Sequence, residues 1–275
     1  MFYNAKNMSI QIEDTTIDYI VFGRGNKNLF IIPGVGDGFK TVKGLAVPFA
    51  IMYRIFAKDY KVYVISRRNN LKENFSTKDM ALDLLKMMDK LNLDKVSVVG
   101  VSQGGMIAQY LGIICPNRVE KLVLVVTASR PNKLMNESIN SWIDYAKKDD
   151  YKSIMMDNVE RSYTGKVLNK NRRLYAFMCK FMKPKDYTRF IIQANSCLEH
   201  NTYNELDKIT CPTLIIGGRV DKVLGIEGSI ELNERIKDSE LYIYEEYSHA
   251  LYEQAKDFNE RVYDFLKRQE VNYEK

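Results

Sequence analysis

The sequence predicts an α/β protein: a mostly parallel, twisted sheet flanked by helices and interrupted by a helical insertion. Three observations predict it. β-rich runs alternate with helical patterns from the N-terminus to about Ser129. One run, Val96–Val99, passes through a glycine-rich turn straight into a helical pattern of Met106, Ile107, Tyr110, Leu111 and Ile114. From Pro131 to Glu205 there is no β-rich run at all, and sheet character resumes only at Cys211.

The elements follow in order. Ser9–Glu13 alternates with period two, and Ile17–Phe22 continues it beyond a polar turn, as half-buried strands do. After the turn Gly23–Asn26, the run Leu29–Ile32 is continuously apolar, which suits a strand covered on both faces. Val62–Ile65, Val96–Val99 and Leu122–Val126 have the same character. Met80, Leu84, Leu85, Met87, Met88 and Leu91 recur at helical spacing, with Ser76 and Asp79 placed as an N-terminal capping pair. In the insertion, Trp142, Tyr145, Met155, Met156, Phe177, Met178, Phe181 and Met182 recur at helical intervals, and most are expected to pack on one another. The sheet returns at Thr213–Ile216, followed by a helix near Ile226–Ile236, a strand at Glu240–Tyr244 and a final helical element near Gln254–Arg268. The expected organisation is a core of residues 1–130 and 206–275 with a helical cap of residues 131–205.

Chemistry concentrates at Gly100-Val101-Ser102-Gln103-Gly104. Strand, tight turn and helix in that order are what a serine nucleophile elbow requires, and Gly100 and Gly104 lack the Cβ atoms that would obstruct it. A serine hydroxyl needs a base, and the chain has only two histidines. His249 follows the last strand, on the side of a parallel sheet where sites form. His200 reads as a packing or surface residue near the end of the insertion. An imidazole in this role needs a carboxylate partner, and Asp221 follows the Leu214–Ile216 strand at the same end; Asp207 and Glu227 are less well placed. A tetrahedral intermediate also needs two backbone donors. Gln103, just after the serine, is one; Val35, in the glycine loop Pro33–Gly38, is the other. That loop lacks the Gly-Lys-Ser/Thr of a phosphate loop.

Composition narrows the remaining classes. The 275 residues are 45% hydrophobic and 28% charged, ordinary for a globular protein. No apolar run approaches the roughly 18 residues of a membrane span, and no signal-peptide core is visible, so a cytoplasmic location is expected. Four scattered cysteines form no CxxC pair, so they are expected to be reduced thiols, with no metal site and no cofactor. The net charge is +6, and Pro131–Glu205 holds thirteen Lys plus Arg against nine Asp plus Glu. Scattered among acids, these cations read as a solvated surface; no nucleic-acid or membrane partner is expected, and the sequence leaves the oligomeric state open.

Four segments in register make the chain resemble the α/β-hydrolase superfamily, in its capped branch of small esterases, lactonases and carbon–carbon bond hydrolases. They are Gly100–Gln109, Pro116–Leu124, Cys211–Gly218 with Asp221, and Ser248-His249-Ala250. The resemblance implies a nucleophile at Ser102, an acid at Asp221, a base at His249 and oxyanion donors at Val35 and Gln103. It departs from the pattern at Pro33-Gly34, where the family usually has His-Gly. A serine nucleophile argues against the dehalogenases of this fold, which use aspartate. The expected activity is therefore serine hydrolysis of a small, largely apolar ester, thioester or lactone through an acyl-enzyme. The alternatives are carbon–carbon hydrolysis of a β-diketone-like substrate by the same groups, and a slow or non-catalytic ligand receptor.

Overall fold

In the computed structural model, which describes residues 3–268, the chain opens with a hairpin of β1 (Lys6–Ile12) and β2 (Thr15–Phe22). Residues 1–2 and 269–275 of the expected core lie outside the described residues. There follow β3 (Lys27–Ile32), a short 3₁₀ turn at Val35–Gly38, α1 (Ala46–Met52), β4 (Tyr60–Arg68), α2 (Thr77–Lys90), β5 (Val96–Val101), α3 (Gln103–Ile114) and β6 (Val119–Val125). Four helices come next: α4 (Lys133–Lys147), α5 (Tyr151–Ser162), α6 (Gly165–Met178) and α7 (Thr188–Leu198). The chain then returns through β7 (Thr213–Gly218), α8 (Glu227–Arg235), β8 (Ser239–Tyr244), α9 (Leu251–Gln254) and α10 (Phe258–Lys267).

All eight strands form one sheet in the order β1-β2-β4-β3-β5-β6-β7-β8. β2 runs antiparallel to both its neighbours, and every pairing from β4 to β8 is parallel. The central strands are apolar without alternation because both faces are covered. Phe30, Ile32, Val98, Leu122, Leu124 and Ile215 join one core layer, with Met80, Leu84 and Met87 of α2 and Ile107 and Leu111 of α3. Their strand neighbours Leu29, Ile31, Val99, Val123, Val125 and Ile216 join the other, with Phe258, Val262 and Phe265 of α10. At α2 the Ser76 hydroxyl accepts from Asp79 N at 3.1 Å while the Asp79 carboxylate accepts from Ser76 N at 3.0 Å, the reciprocal cap its sequence spacing predicts.

The last helical element differs from the sequence expectation. Ala255 is extended, so the helical pattern divides into α9 and α10. Helices α4, α5 and α7 pack a third cluster around Trp142, Ile143, Tyr151 and Phe190, joined by Met106 of α3, while Leu168 and Tyr175 of α6 pack against Val159, Tyr163 and Ala250. Their apolar residues do not all pack inward: Phe177, Phe181 and Met182 are exposed at 61%, 74% and 48%. Helical periodicity marks one face of a helix without saying whether that face meets protein or solvent. Among the described residues no helix is long and apolar enough to cross a membrane.

Candidate active site

β5 lies near the middle of the sheet and ends directly in Ser102, whose backbone takes φ 55° and ψ −120°. That left-handed conformation costs a serine of order 1–3 kcal/mol, and the turn is held by close packing on either side. A Cβ at Gly100 would stand 2.4 Å from the Gly104 carbonyl oxygen, and one at Gly104 would stand 2.0 Å from that of Ile32. Backbone on both sides leaves nothing that can move aside, so both positions require glycine. Ser102 N donates to Val125 O at 2.9 Å, anchoring the turn to β6.

The other predicted residues converge on this serine. His249, in the segment between β8 and α9, places Nε2 3.0 Å from Ser102 Oγ. Its Nδ1 lies 2.8 Å from Asp221 Oδ2. The second carboxylate oxygen of Asp221 accepts the backbone N–H groups of Val223 at 2.7 Å and Leu224 at 3.0 Å. Asp221 and His249 are both buried, each 7% exposed, so this chain of hydrogen bonds is shielded from water except at the serine. An acceptor-only carboxylate must receive a proton from Nδ1, which leaves the Nε2 lone pair facing the serine hydroxyl.

Val35 and Gln103 are the first residues of their helical turns, where backbone N–H groups have no intrahelical acceptor. The loop that carries Val35 comes against the serine: a Cβ at Gly34 would start 3.3 Å from Ser102 Cβ. The Gln103 side chain points elsewhere. Its amide is buried, donating to Gln193 O at 2.7 Å and to Ser196 Oγ at 3.1 Å on α7.

The sequence reading missed Arg67, at the end of β4. Its guanidinium donates to Pro33 O and, at 2.9 Å, to Gln103 Oε1, so one side chain ties the glycine loop to the start of α3. Burial pushes the Arg67 guanidinium down to about 10, with the nearby Asp37 carboxylate opposing the shift. Asp37 itself accepts from Arg67 N at 3.1 Å and from the Arg189 guanidinium of α7. Arg67 Nε and Nη1 have no partner among the described residues, a cost that marks the position as constrained. The available signal was an arginine pair closing a strand whose middle, Val62–Ile65, is apolar.

Ser102 and His249 open on a cavity of about 470 Å³, within the range of small-molecule sites. Phe49, Tyr53, Trp142 and Tyr175 supply much of its wall, so the helices between β6 and β7 contribute to it. Three charged residues also line it, Asp37, Lys40 and Glu253. Glu253 accepts from Tyr163 Oη at 2.5 Å, and desolvation raises its carboxyl above the usual range. His200 is elsewhere, buried against Tyr110 with Nδ1 2.9 Å from Thr77 Oγ1; burial pushes it down to about 3, so it stays neutral. Asp207 and Glu227 are exposed and take no part. Among the described residues no group of three or more His, Cys, Asp or Glu is arranged to hold a metal ion.

Comparison with known proteins places the fold. A profile of the alpha/beta hydrolase fold matches residues 27–256. The chain is 26% identical over 297 residues to a 2-hydroxy-6-oxononadienedioate/2-hydroxy-6-oxononatrienedioate hydrolase of Klebsiella pneumoniae, covering 94% of this chain and 98% of that protein. Among solved structures, the enol-lactonase of Burkholderia xenovorans superposes with a TM-score of 0.80 at 18% identity, over 95% of this chain and all of that one (100%). An esterase from Exiguobacterium antarcticum gives 0.79 at 19% identity, over 96% and 100%. A serine on a strained strand-to-helix turn, on a sheet of this strand order and with a matching profile across most of its length, makes this chain a member of the α/β-hydrolase family and a hydrolase.

Proposed function

We propose that the protein is a serine hydrolase that cleaves a small, largely apolar carboxylic ester, thioester or lactone through an acyl-enzyme, with the α4–α7 segment acting as a cap over the site. One observation carries this reading: the unbroken hydrogen-bond chain from Asp221 through His249 to Ser102, opening on a mostly apolar cavity. His249 Nε2 takes the Ser102 proton as Oγ attacks the carbonyl carbon. The N–H groups of Val35 and Gln103 stabilise the oxyanion. The imidazolium, held by Asp221, then protonates the departing oxygen or sulfur as its bond to carbon breaks. Water, deprotonated by the same imidazole, attacks the acyl-enzyme and releases the acid with free Ser102.

The aromatic side chains of Phe49, Tyr53, Trp142 and Tyr175 in the wall support a largely apolar substrate. The name of the Klebsiella relative favours a second reading, carbon–carbon hydrolysis by the same three groups, in which a substrate carboxylate would lie toward Lys40. A panel of p-nitrophenyl esters graded in acyl length, run beside a vinylogous diketone, separates the two. The ester reading expects faster turnover of an ester, and the reverse order supports the carbon–carbon reading. Ser102→Ala is expected to abolish turnover and labelling by a fluorophosphonate probe; retained labelling removes Ser102 from the role.

A further inference from the structure

α6 and the turn after it carry the most unbalanced charge in the chain. Residues 165–185 hold seven Lys plus Arg and no acidic residue, more than half of the thirteen cations between Pro131 and Glu205. Arg172 is bonded to Glu160 and Lys183 to Asp149. Lys166, Lys170, Arg173, Lys180 and Lys185 are exposed and have no carboxylate partner among the described residues.

The same segment exposes apolar surface. Val167, Leu174, Phe177, Phe181 and Met182 are 38%, 44%, 61%, 74% and 48% exposed, and the Phe177 and Phe181 rings touch at 5.4 Å between centroids. At the 3.6-residue period, Val167, Leu174 and Phe177 fall on one outward stripe of α6, and Phe181, in the turn after it, sits against Phe177. Leu168, Tyr175 and Cys179 fall on the opposite side and pack into the protein, the first two against Val159, Tyr163 and Ala250. The helix is thus anchored by its inner face and presents an outer face of aromatic and aliphatic side chains flanked by unpaired cations.

We propose that this face docks the protein on an anionic lipid surface, with the apolar stripe entering the headgroup region and Lys166, Lys170, Arg173 and Lys180 meeting lipid phosphates. Exposed Phe, Leu and Met beside Lys and Arg on one helical face are the signature of an interfacial helix, which lies on a membrane without crossing it. Two other occupants fit less well. In a twofold dimer this cation-rich face would meet a copy of itself and repel it. A nucleic-acid surface would leave Val167, Leu174 and Met182 without a role. This docking amends the sequence expectation of no membrane partner, which rested on scattered charge and the lack of a spanning run. Tyr175 is on the same helix and also lines the Ser102 cavity, so a docked helix would bring that cavity close to the lipid.

The test is flotation of the full-length protein with phosphatidylcholine vesicles prepared with and without phosphatidylglycerol, which requires no substrate. Binding is expected only with phosphatidylglycerol and is lost at high salt. Lys170→Glu/Arg173→Glu is expected to weaken it by at least about 25-fold, at roughly five-fold per cation. Phe177→Ser/Phe181→Ser is expected to weaken it as well. Both pairs are exposed, and an unchanged thermal midpoint checks that the fold is intact. The proposal is overturned by any of four results: no binding, equal binding to both vesicles, binding unaffected by both variants, or equal affinity for a DNA oligonucleotide. A concentration-dependent dimer broken by Phe177→Ser/Phe181→Ser, without vesicle binding, also overturns it.

Discussion

Replacing Asp221 by asparagine changes one carboxylate oxygen to an NH₂ group and adds no bulk. The surroundings dictate which oxygen is replaced. Oδ1 accepts two backbone N–H groups, from Val223 and Leu224, while Oδ2 faces one group, His249 Nδ1. Turning the amide nitrogen toward the two backbone donors would leave both unpaired in a buried site, at about 1–3 kcal/mol each. The asparagine oxygen therefore keeps the backbone pair and the NH₂ points at His249. A donor there needs an acceptor, so Nδ1 gives up its proton and Nε2 takes one. The imidazole then offers an N–H to Ser102 and cannot accept its proton. Loss of the correct tautomer in a triad lowers kcat by about 10⁴, or about 5.5 kcal/mol of transition-state stabilisation. The assay is kcat on a short p-nitrophenyl ester, with fluorophosphonate labelling rate as a substrate-independent measure and a thermal scan to check the fold. A drop of less than about tenfold in both rates would mean that Asp221 does not govern the His249 tautomer and that another group does.

Arg67→Met keeps the length of the side chain and removes its bonds to Pro33 O and Gln103 Oε1. If Arg67 holds the two oxyanion loops in register, kcat falls about tenfold or more while KM changes little, below the 10²–10³ cost of deleting a donor outright. A purely structural role would lower the thermal midpoint and leave the kcat of the folded enzyme intact. His200→Gln tests the buried neutral histidine. With its folded value depressed to about 3 against 6.5 when unfolded, the unfolded state binds the extra proton between those values. Wild-type stability from this group is therefore complete above about pH 6.5 and declines as pH falls toward 3, by up to about 1.4 kcal/mol per pH unit. The stability difference between wild type and His200→Gln, from urea titrations, is expected to shrink with that slope; a pH-independent difference refutes it.

Most of the sheet was legible because its signal is local. Leu29–Ile32, Val96–Val99 and Leu122–Val126 can be uninterrupted apolar runs only where both faces are covered, and the structure covers both. Ser102 was legible because Gly100 and Gly104 are needed wherever strand, turn and helix approach this closely. His249 and Asp221 were legible from their order and their positions after strands. Arg67 was not, because its partners lie 34 and 36 residues away and no local spacing encodes them.

Phe177 and Phe181 sharpen the same distinction. Their spacing marks an apolar helical face, yet only the packing of Leu168 and Tyr175 on the opposite side leaves that face outward. The sequence by itself determined the strands, the elbow and the three residue types of the hydrogen-bond chain, because each depends on backbone sterics or on chemistry carried by a short segment. The tertiary structure alone decided the 3.0 Å and 2.8 Å contacts that join them, the Arg67 clamp, the carboxyl of Glu253 in the cavity wall and the direction in which α6 faces. Each of those depends on segments far apart in the chain, and only folding sets the distances between them.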